Sequence, residues 1–119
     1  MPANTVLAPG YTATTVNLAA ATTKYNLLEL IQNASNGARA NCGESFREVT
    51  IQLDPGNAVG TELDVGDGGL DATHRGYTLA VGESKTYSSD LNNVFPISLF
   101  LFVPGAQTNV KVNVELNRM

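Results

Sequence analysis

The sequence predicts an all-β protein: a single antiparallel β-sandwich or jelly-roll-like domain of about seven short strands, with an extended N-terminal arm and room for one short helix. Three observations predict it. A chain of 119 residues buries roughly two-thirds of the surface its unfolded form exposes, which suits one core and leaves little for a second. Charged residues make up only 15%, against about 25% in a typical soluble domain. In their place stand 12 Thr, 12 Asn and 11 Gly, with no Trp, a composition that favours strands and turns. Short alternating apolar runs recur between turn residues every 8 to 14 positions or so.

Residues 1–12 hold Pro2, Pro9 and Gly10 with only Val6, Leu7 and Tyr11 as larger apolar side chains, so they read as an extended arm ahead of a sandwich over 13–119. Thr14-Thr15-Val16-Asn17-Leu18 is β-branched and alternating, and predicts the first strand. From Lys24 to Gln32 the apolar residues Tyr25, Leu27, Leu28, Leu30 and Ile31 fall at mixed helical spacings, consistent with one short helix or an irregular strand. Beyond a polar loop with Asn36-Gly37 and Cys42-Gly43, the run from Phe46 to Leu53 alternates from Val49 onward and ends at Asp54-Pro55-Gly56-Asn57. Thr61 to Val65 alternates again and stops at Gly66-Asp67-Gly68-Gly69. Tyr77 to Val81 follows, and Gly82-Glu83 turns into Ser84-Lys85-Thr86-Tyr87.

The last two strands differ in kind. Val110, Val112, Val114 and Leu116 alternate with Lys111, Asn113, Glu115 and Asn117, the pattern of one dry face and one wet face. Leu99-Phe100-Leu101-Phe102-Val103 is apolar at every position. Each buried Leu or Phe contributes roughly 1.5 to 3 kcal/mol, so the second face of this strand also requires a cover: segment 24–32, the arm or another subunit.

The formal net charge is −4, and the seven Lys and Arg are scattered rather than gathered into the basic stripe that phosphate backbones require. Direct nucleic-acid binding is not expected. The longest apolar run, Leu99 to Val103, is far short of the ~20 residues of a membrane helix. The first residues lack the charged and apolar regions of a secretory signal, so synthesis is expected to finish in a cytosol, which sets aside the glycosylation match at Asn33-Ala34-Ser35. Cys42 is the only cysteine, so no disulfide forms within one chain.

Catalytic and metal-binding signals are faint. His74 is the only histidine, lies beside Arg75 in a loop, and has no G-x-S-x-G elbow to serve. Asp64, Asp67 and Asp71 bracket a Gly-rich loop, but their spacing fails the EF-hand pattern, and the parity of Asp64 with Glu62 places it on the wet face of its strand. Lys85-Thr86 lacks the glycines of a P-loop. No cofactor, catalytic residue or metal ligand is expected.

The succession Arg47-Glu48-Val49-Thr50-Ile51-Gln52-Leu53-Asp54-Pro55, Val65-Gly66-Asp67, Gly76-Tyr77-Thr78-Leu79 with Val81-Gly82-Glu83-Ser84, Asn92-Asn93-Val94 and Val112-Asn113-Val114-Glu115 resembles small β-rich structural proteins of tailed bacteriophage virions, most of all capsid decoration (cement) proteins. The resemblance covers residues 14–117 and rests on rhythm and short phrases. It implies a non-enzymatic sandwich protomer, usually in a homotrimer, seated on the outer capsid surface with itself and the major capsid protein as partners. In that role Val6, Leu7 and Tyr11 of the arm and Leu99, Phe100, Leu101, Phe102 and Val103 are the candidate subunit or capsid contacts. The alternative is a carbohydrate- or receptor-binding sandwich of a phage tail or fibre, which would stack sugars on Tyr11, Tyr25, Tyr77 or Tyr87.

Overall fold

A computed structural model of the chain describes residues 11–34, 45–91 and 93–117. The described residues form eight strands in two antiparallel sheets. They are β1 (Tyr11–Leu18), β2 (Lys24–Asn26), β3 (Glu48–Leu53), β4 (Glu62–Gly66), β5 (Tyr77–Ala80), β6 (Ser84–Ser88), β7 (Phe100–Phe102) and β8 (Val110–Asn117). Among the described residues one helix, α1 (Leu27–Ala34), follows β2, and a 3-10 turn at Pro96–Ser98 precedes β7. The first sheet has the order β1-β8-β3-β6 and the second β2-β7-β4-β5. Consecutive strands thus alternate between sheets except at β4-β5, and this interleaving is the double Greek key of a jelly roll.

The predicted all-β sandwich is the fold, with one more strand than predicted. The added strand is β2, whose three residues are too few to show alternation in sequence. Helix α1 begins at Leu27 rather than Lys24, because Lys24–Asn26 pairs with Phe102–Phe100 of β7. Asn26 closes the change of structure: its Oδ1 accepts the Glu29 N–H at 3.3 Å, in the manner of an N-cap. β1 starts at Tyr11, paired with Asn117, so Tyr11 and Thr12 belong to the sheet rather than to an arm ending at residue 12.

Alternation sorts each strand by face. Val16 and Leu18, Val49, Ile51 and Leu53, and Val110, Val112, Val114 and Leu116 point inward from the first sheet. Leu63, Val65, Leu79 and Leu101 meet them from the second, and Leu27, Leu28 and Ile31 of α1 complete the core.

The two ends of the sandwich are unlike. At one, short connections run through 19–23, 54–61, 81–83 and 103–109, and they hold the left-handed residues Thr22, Gly60, Gly82, Gly105 and Asn109. At the other lie α1 and the longer connections 67–76 and 89–99.

Candidate functional site

Strand β7 lies inside its sheet, and the protomer covers both of its faces. Leu99, Leu101 and Val103 are buried in the core. Register aligns Lys24, Phe102, Asp64 and Thr78 in one row across the outer face, with Phe100 beside Gly66 in the next. Over these rows folds the connection 67–76. Leu70 is buried against Gly66, and Gly68 approaches the Phe100 ring so closely that an added Cβ would stand 3.5 Å from it. The Lys24 ammonium lies 5.6 Å from the centre of the same ring and donates to the Gly68 carbonyl. Phe102 retains 5% exposure. The second face is therefore covered by a loop of the same chain, and of the five apolar residues in 99–103 only Phe100 is partly accessible. Val6 and Leu7 lie outside the described residues, as does Cys42; of Tyr11 only the strand pairing is described.

Asp64 departs from its predicted wet position. It is fully buried (0%), because Arg75 folds over it from the loop. Arg75 Nε donates to Asp64 Oδ2 at 2.8 Å and Nη2 to Oδ1 at 3.0 Å, while Nη2 also reaches Glu62 Oε1 at 2.9 Å. The Thr78 hydroxyl donates to Asp64 Oδ1 at 2.7 Å. Hydrogen bonds from the guanidinium to Asp64 and then Glu62 push the Arg75 pKa further up. Parity placed Asp64 on the outer face correctly; what parity does not carry is that a side chain eleven positions on would close over it. Gly76 makes the loop's return possible: it has φ +64, and a Cβ there would lie 2.5 Å from the Val65 carbonyl oxygen.

The remaining acids of the loop cap turns. Asp67 Oδ1 accepts the Gly69 N–H at 2.9 Å. Asp71 Oδ1 accepts the N–H groups of Thr73 and His74 at 2.9 and 2.8 Å, and the Thr73 hydroxyl at 3.0 Å. These bonds, with the His74 ring, hold the Asp71 carboxyl well below the usual carboxylate range. With Asp64 turned to Arg75, the three acids of 64–71 do not converge on a common point, and among the described residues no three His, Cys, Asp or Glu side chains form a metal-binding group. His74 presents one ring nitrogen, Nδ1, to both Asp71 Oδ1 and the Thr73 hydroxyl, each at 3.1 Å. A relay needs opposite ring nitrogens on acid and nucleophile, so this trio is a turn.

Two surfaces remain. The outer face of the first sheet is a polar lattice around a shallow depression of about 470 Å³. At its centre Asn113 accepts the Thr15 hydroxyl at 2.8 Å and donates to Gln52 Oε1 and Asp54 Oδ1 at 2.9 Å each. Thr50 and Thr86 hydroxyls meet at 3.0 Å. These groups satisfy one another. The second surface is the end with the long connections. Among the described residues the exposed large apolar side chains are Val59 (101%), Tyr77 (51%), Leu91 (79%), Phe95 (44%) and Ile97 (55%). All but Val59 lie at that end: Tyr77 opens β5 opposite Val65, and the other three sit in the 89–99 connection, which is pinned by the Phe46–Val94 bridge and by Asn26 Nδ2 on the Ile97 carbonyl at 2.9 Å. The sequence shows Leu91, Phe95 and Ile97 only as isolated apolar residues among Asn, Pro and Ser, without a period to mark them.

Fold and surface together define a small jelly-roll protein with an asymmetric distribution of exposed apolar groups. No protein-family model matches the chain, and no curated protein is significantly similar to it in sequence.

Proposed function

We propose that the protein is a non-enzymatic structural component of a tailed phage virion that decorates and stabilises the outer capsid surface as a homo-oligomer. The observation that carries this reading is the concentration of Tyr77, Leu91, Phe95 and Ile97 at one end of a jelly roll whose opposite end is closed by tight turns. Exposed aromatic and apolar side chains gathered on one surface are anchors for a protein partner, since their desolvation on contact is favourable. Jelly rolls serve in viral shells and in lectins alike; the resemblance of residues 14–117 to decoration proteins favours the first by analogy.

The contact moves from strand 99–103, whose side chains mostly serve the protomer's own core, to the long-connection end. Decoration works by multivalency: weak contacts to several shell subunits combine through effective concentration, and an oligomer multiplies the gain. Low charge suits this, because few ions must be desolvated when surfaces close. Copies per shell, counted by mass spectrometry on purified virions, test the reading. A copy number matching a set of symmetry-related positions is expected; a few copies per particle would overturn it.

The carbohydrate-binding alternative depends on exposed rings. Tyr25 turns inward, its hydroxyl bonded to the Ala20 backbone, and Tyr87 is half-buried, its phenol pKa pushed up by burial. Tyr77 is accessible but carries the Lys85 ammonium 4.8 Å from its ring centre. Binding to a glycan array, abolished by Tyr77→Ala, would replace the decoration reading with this one.

A further inference from the structure

Among the described residues, β1 and β6 are the edge strands of the first sheet and β2 and β5 those of the second. An edge strand presents an unpaired row of backbone groups, and folded proteins blunt such edges by shortness, charge, proline or a bulge. β2 spans three residues and opens with Lys24, and β5 spans four. β6 places Lys85 on the core side, in register with buried Ile51, its ammonium 4.8 and 5.4 Å from the centres of the Tyr77 and Tyr87 rings. β1 has none of these devices: its eight residues contain no charge and no proline, and they pair one for one with β8. The Lys111 carbonyl accepts the Asp54 N–H at 3.1 Å and the Lys111 N–H donates to Asn57 Oδ1 at 3.0 Å, so both backbone groups of Lys111 face the β3 side. Successive residues of a strand turn these groups to opposite sides, so Val112, Val114 and Leu116 face β1, and Tyr11, Ala13, Thr15 and Asn17 turn theirs away from β8. Among the described residues nothing pairs with the outward groups of Ala13, Thr15 and Asn17. A groove of about 500 Å³ runs beside this edge, between Thr15, Val16 and Asn17 on one side and Leu30 of α1 on the other.

We propose that β1 is a self-pairing edge: two copies join antiparallel along it, Ala13 opposite Thr15 of the second copy and Thr14 on the two-fold axis, doubling the four-stranded sheet. The inference rests on the proposed function only for the existence of a homo-oligomer, not for the shell. The outward residues Tyr11, Ala13, Thr15 and Asn17 are symmetric about Thr14, so one register satisfies them all, each opposed pair exchanging two hydrogen bonds. On the core side the same register sets Thr14 against Thr14 and Thr12 against Val16, pairs of β-branched side chains with no like charges opposed. It also completes the cover of Thr14, which is half-buried while Val114 and Ile51 in its row are buried. The rival cover is the chain's own first residues, and Pro9-Gly10 disfavours it. Folding back onto β1 through that pair would take a two-residue hairpin turn, whose first residue needs φ > 0, a region closed to Pro9. The three-residue turn Ala8-Pro9-Gly10 would need Ala8 in the helical region, which a following proline disfavours.

A single cysteine tests the register in the full chain. Opposed residues of a non-hydrogen-bonded pair stand about 4.5 Å apart at Cα, within reach of a disulfide. With Cys42→Ser as background, Thr14→Cys is mildly oxidised in parallel with Thr86→Cys on the opposite edge of the sheet. Disulfide-linked dimer at least tenfold more abundant from Thr14→Cys is expected; equal or absent cross-linking overturns the proposal. Thr15→Pro removes only an outward N–H, so it should stay folded by circular dichroism while light scattering shows its mass halved. A folded Thr15→Pro protein of unchanged mass overturns the proposal, as does a monomeric parent, and the cysteine reading decides should the proline variant not fold. Hydrogen exchange separates the rival cover: the Ala13, Thr15 and Asn17 amides should lose protection when the parent is diluted to monomer, and protection that persists puts a segment of the same chain on the edge and overturns the pairing. Dimers that cross-link as expected yet fail to bind shells would overturn the capsid role and leave the pairing standing.

Discussion

Arg75 gives Asp64 two hydrogen bonds from one guanidinium edge, and closing that fork ties the connection 67–76 down onto β4. The pair is more anchor than source of stability, since desolvating the carboxylate offsets much of the attraction. Removing one partner is different. Arg75→Met leaves Asp64 with only the Thr78 hydroxyl, and the fold should lose about 2 to 4 kcal/mol; urea unfolding measures it. Asp64→Leu combined with Arg75→Met should recover most of that loss, and an additive double variant would show that the loop does not depend on the pair. Asp71 supplies a second residue-scale prediction. Its folded pKa is depressed by the Thr73 and His74 donors, so its contribution is present above the unfolded carboxylate pKa and is lost only as pH falls through the lower folded value. In an NMR titration the Thr73 and His74 amide shifts should stay flat through the ordinary midpoint of 3.8. A transition centred there would mean that the turn does not hold the carboxylate. Neither cluster was legible in the sequence: side-chain parity fixes the face a residue occupies, whereas the fork to Arg75 and the turn at Asp71 depend on how a loop without period folds back.

At the scale of elements, strands with one wet face were the most legible, because a period of two is imposed directly by the pleat. β8 alternates buried residues with exposed or, at Asn113, half-buried ones, as Val110 to Asn117 alternates in sequence. β7 was legible in half. Its unbroken apolar run announced two dry faces, yet the cover came from Gly68, Leu70, Lys24 and Arg75, which share no pattern and were not separable from an ordinary turn. β2 escaped notice since its three residues take their structure from pairing with β7 rather than from any propensity of their own. The correction changes what substitutions in β7 should do. Phe102→Asp places a carboxylate in the row beside Asp64, in a site with 5% exposure; the protein should fail to fold rather than fall into monomers. Phe102→Leu, which keeps the site apolar, should cost under about 2 kcal/mol and preserve the oligomer. Thermal unfolding with light scattering separates these outcomes, and a folded, monomeric Phe102→Asp protein would restore the strand as an interface.

At the scale of the whole molecule, the jelly-roll order makes the two ends inequivalent before any side chain is considered. Tight turns must use left-handed residues such as Gly60, Gly82 and Gly105, and they leave little side-chain surface for contact. Long connections gather at the other end, where they can present side chains without disturbing the sheets. If that asymmetry is functional, single added charges at different places should have unequal effects. Val59→Asp at the turn end, Thr86→Lys on the polar face of the first sheet and Phe95→Asp at the long-connection end all alter exposed side chains, so each should leave the protein folded, at a cost within the roughly 0.5 to 3 kcal/mol of an ordinary point substitution. Occupancy of the shell should respond only to Phe95→Asp, falling at least tenfold, because a carboxylate in a closing apolar contact is desolvated without a partner. Counting copies per shell for the three variants therefore locates the docking surface. Loss confined to Val59→Asp would reverse the orientation, loss confined to Thr86→Lys would move the contact to the polar lattice around Asn113, and equal retention by all three would remove the apolar end from the mechanism.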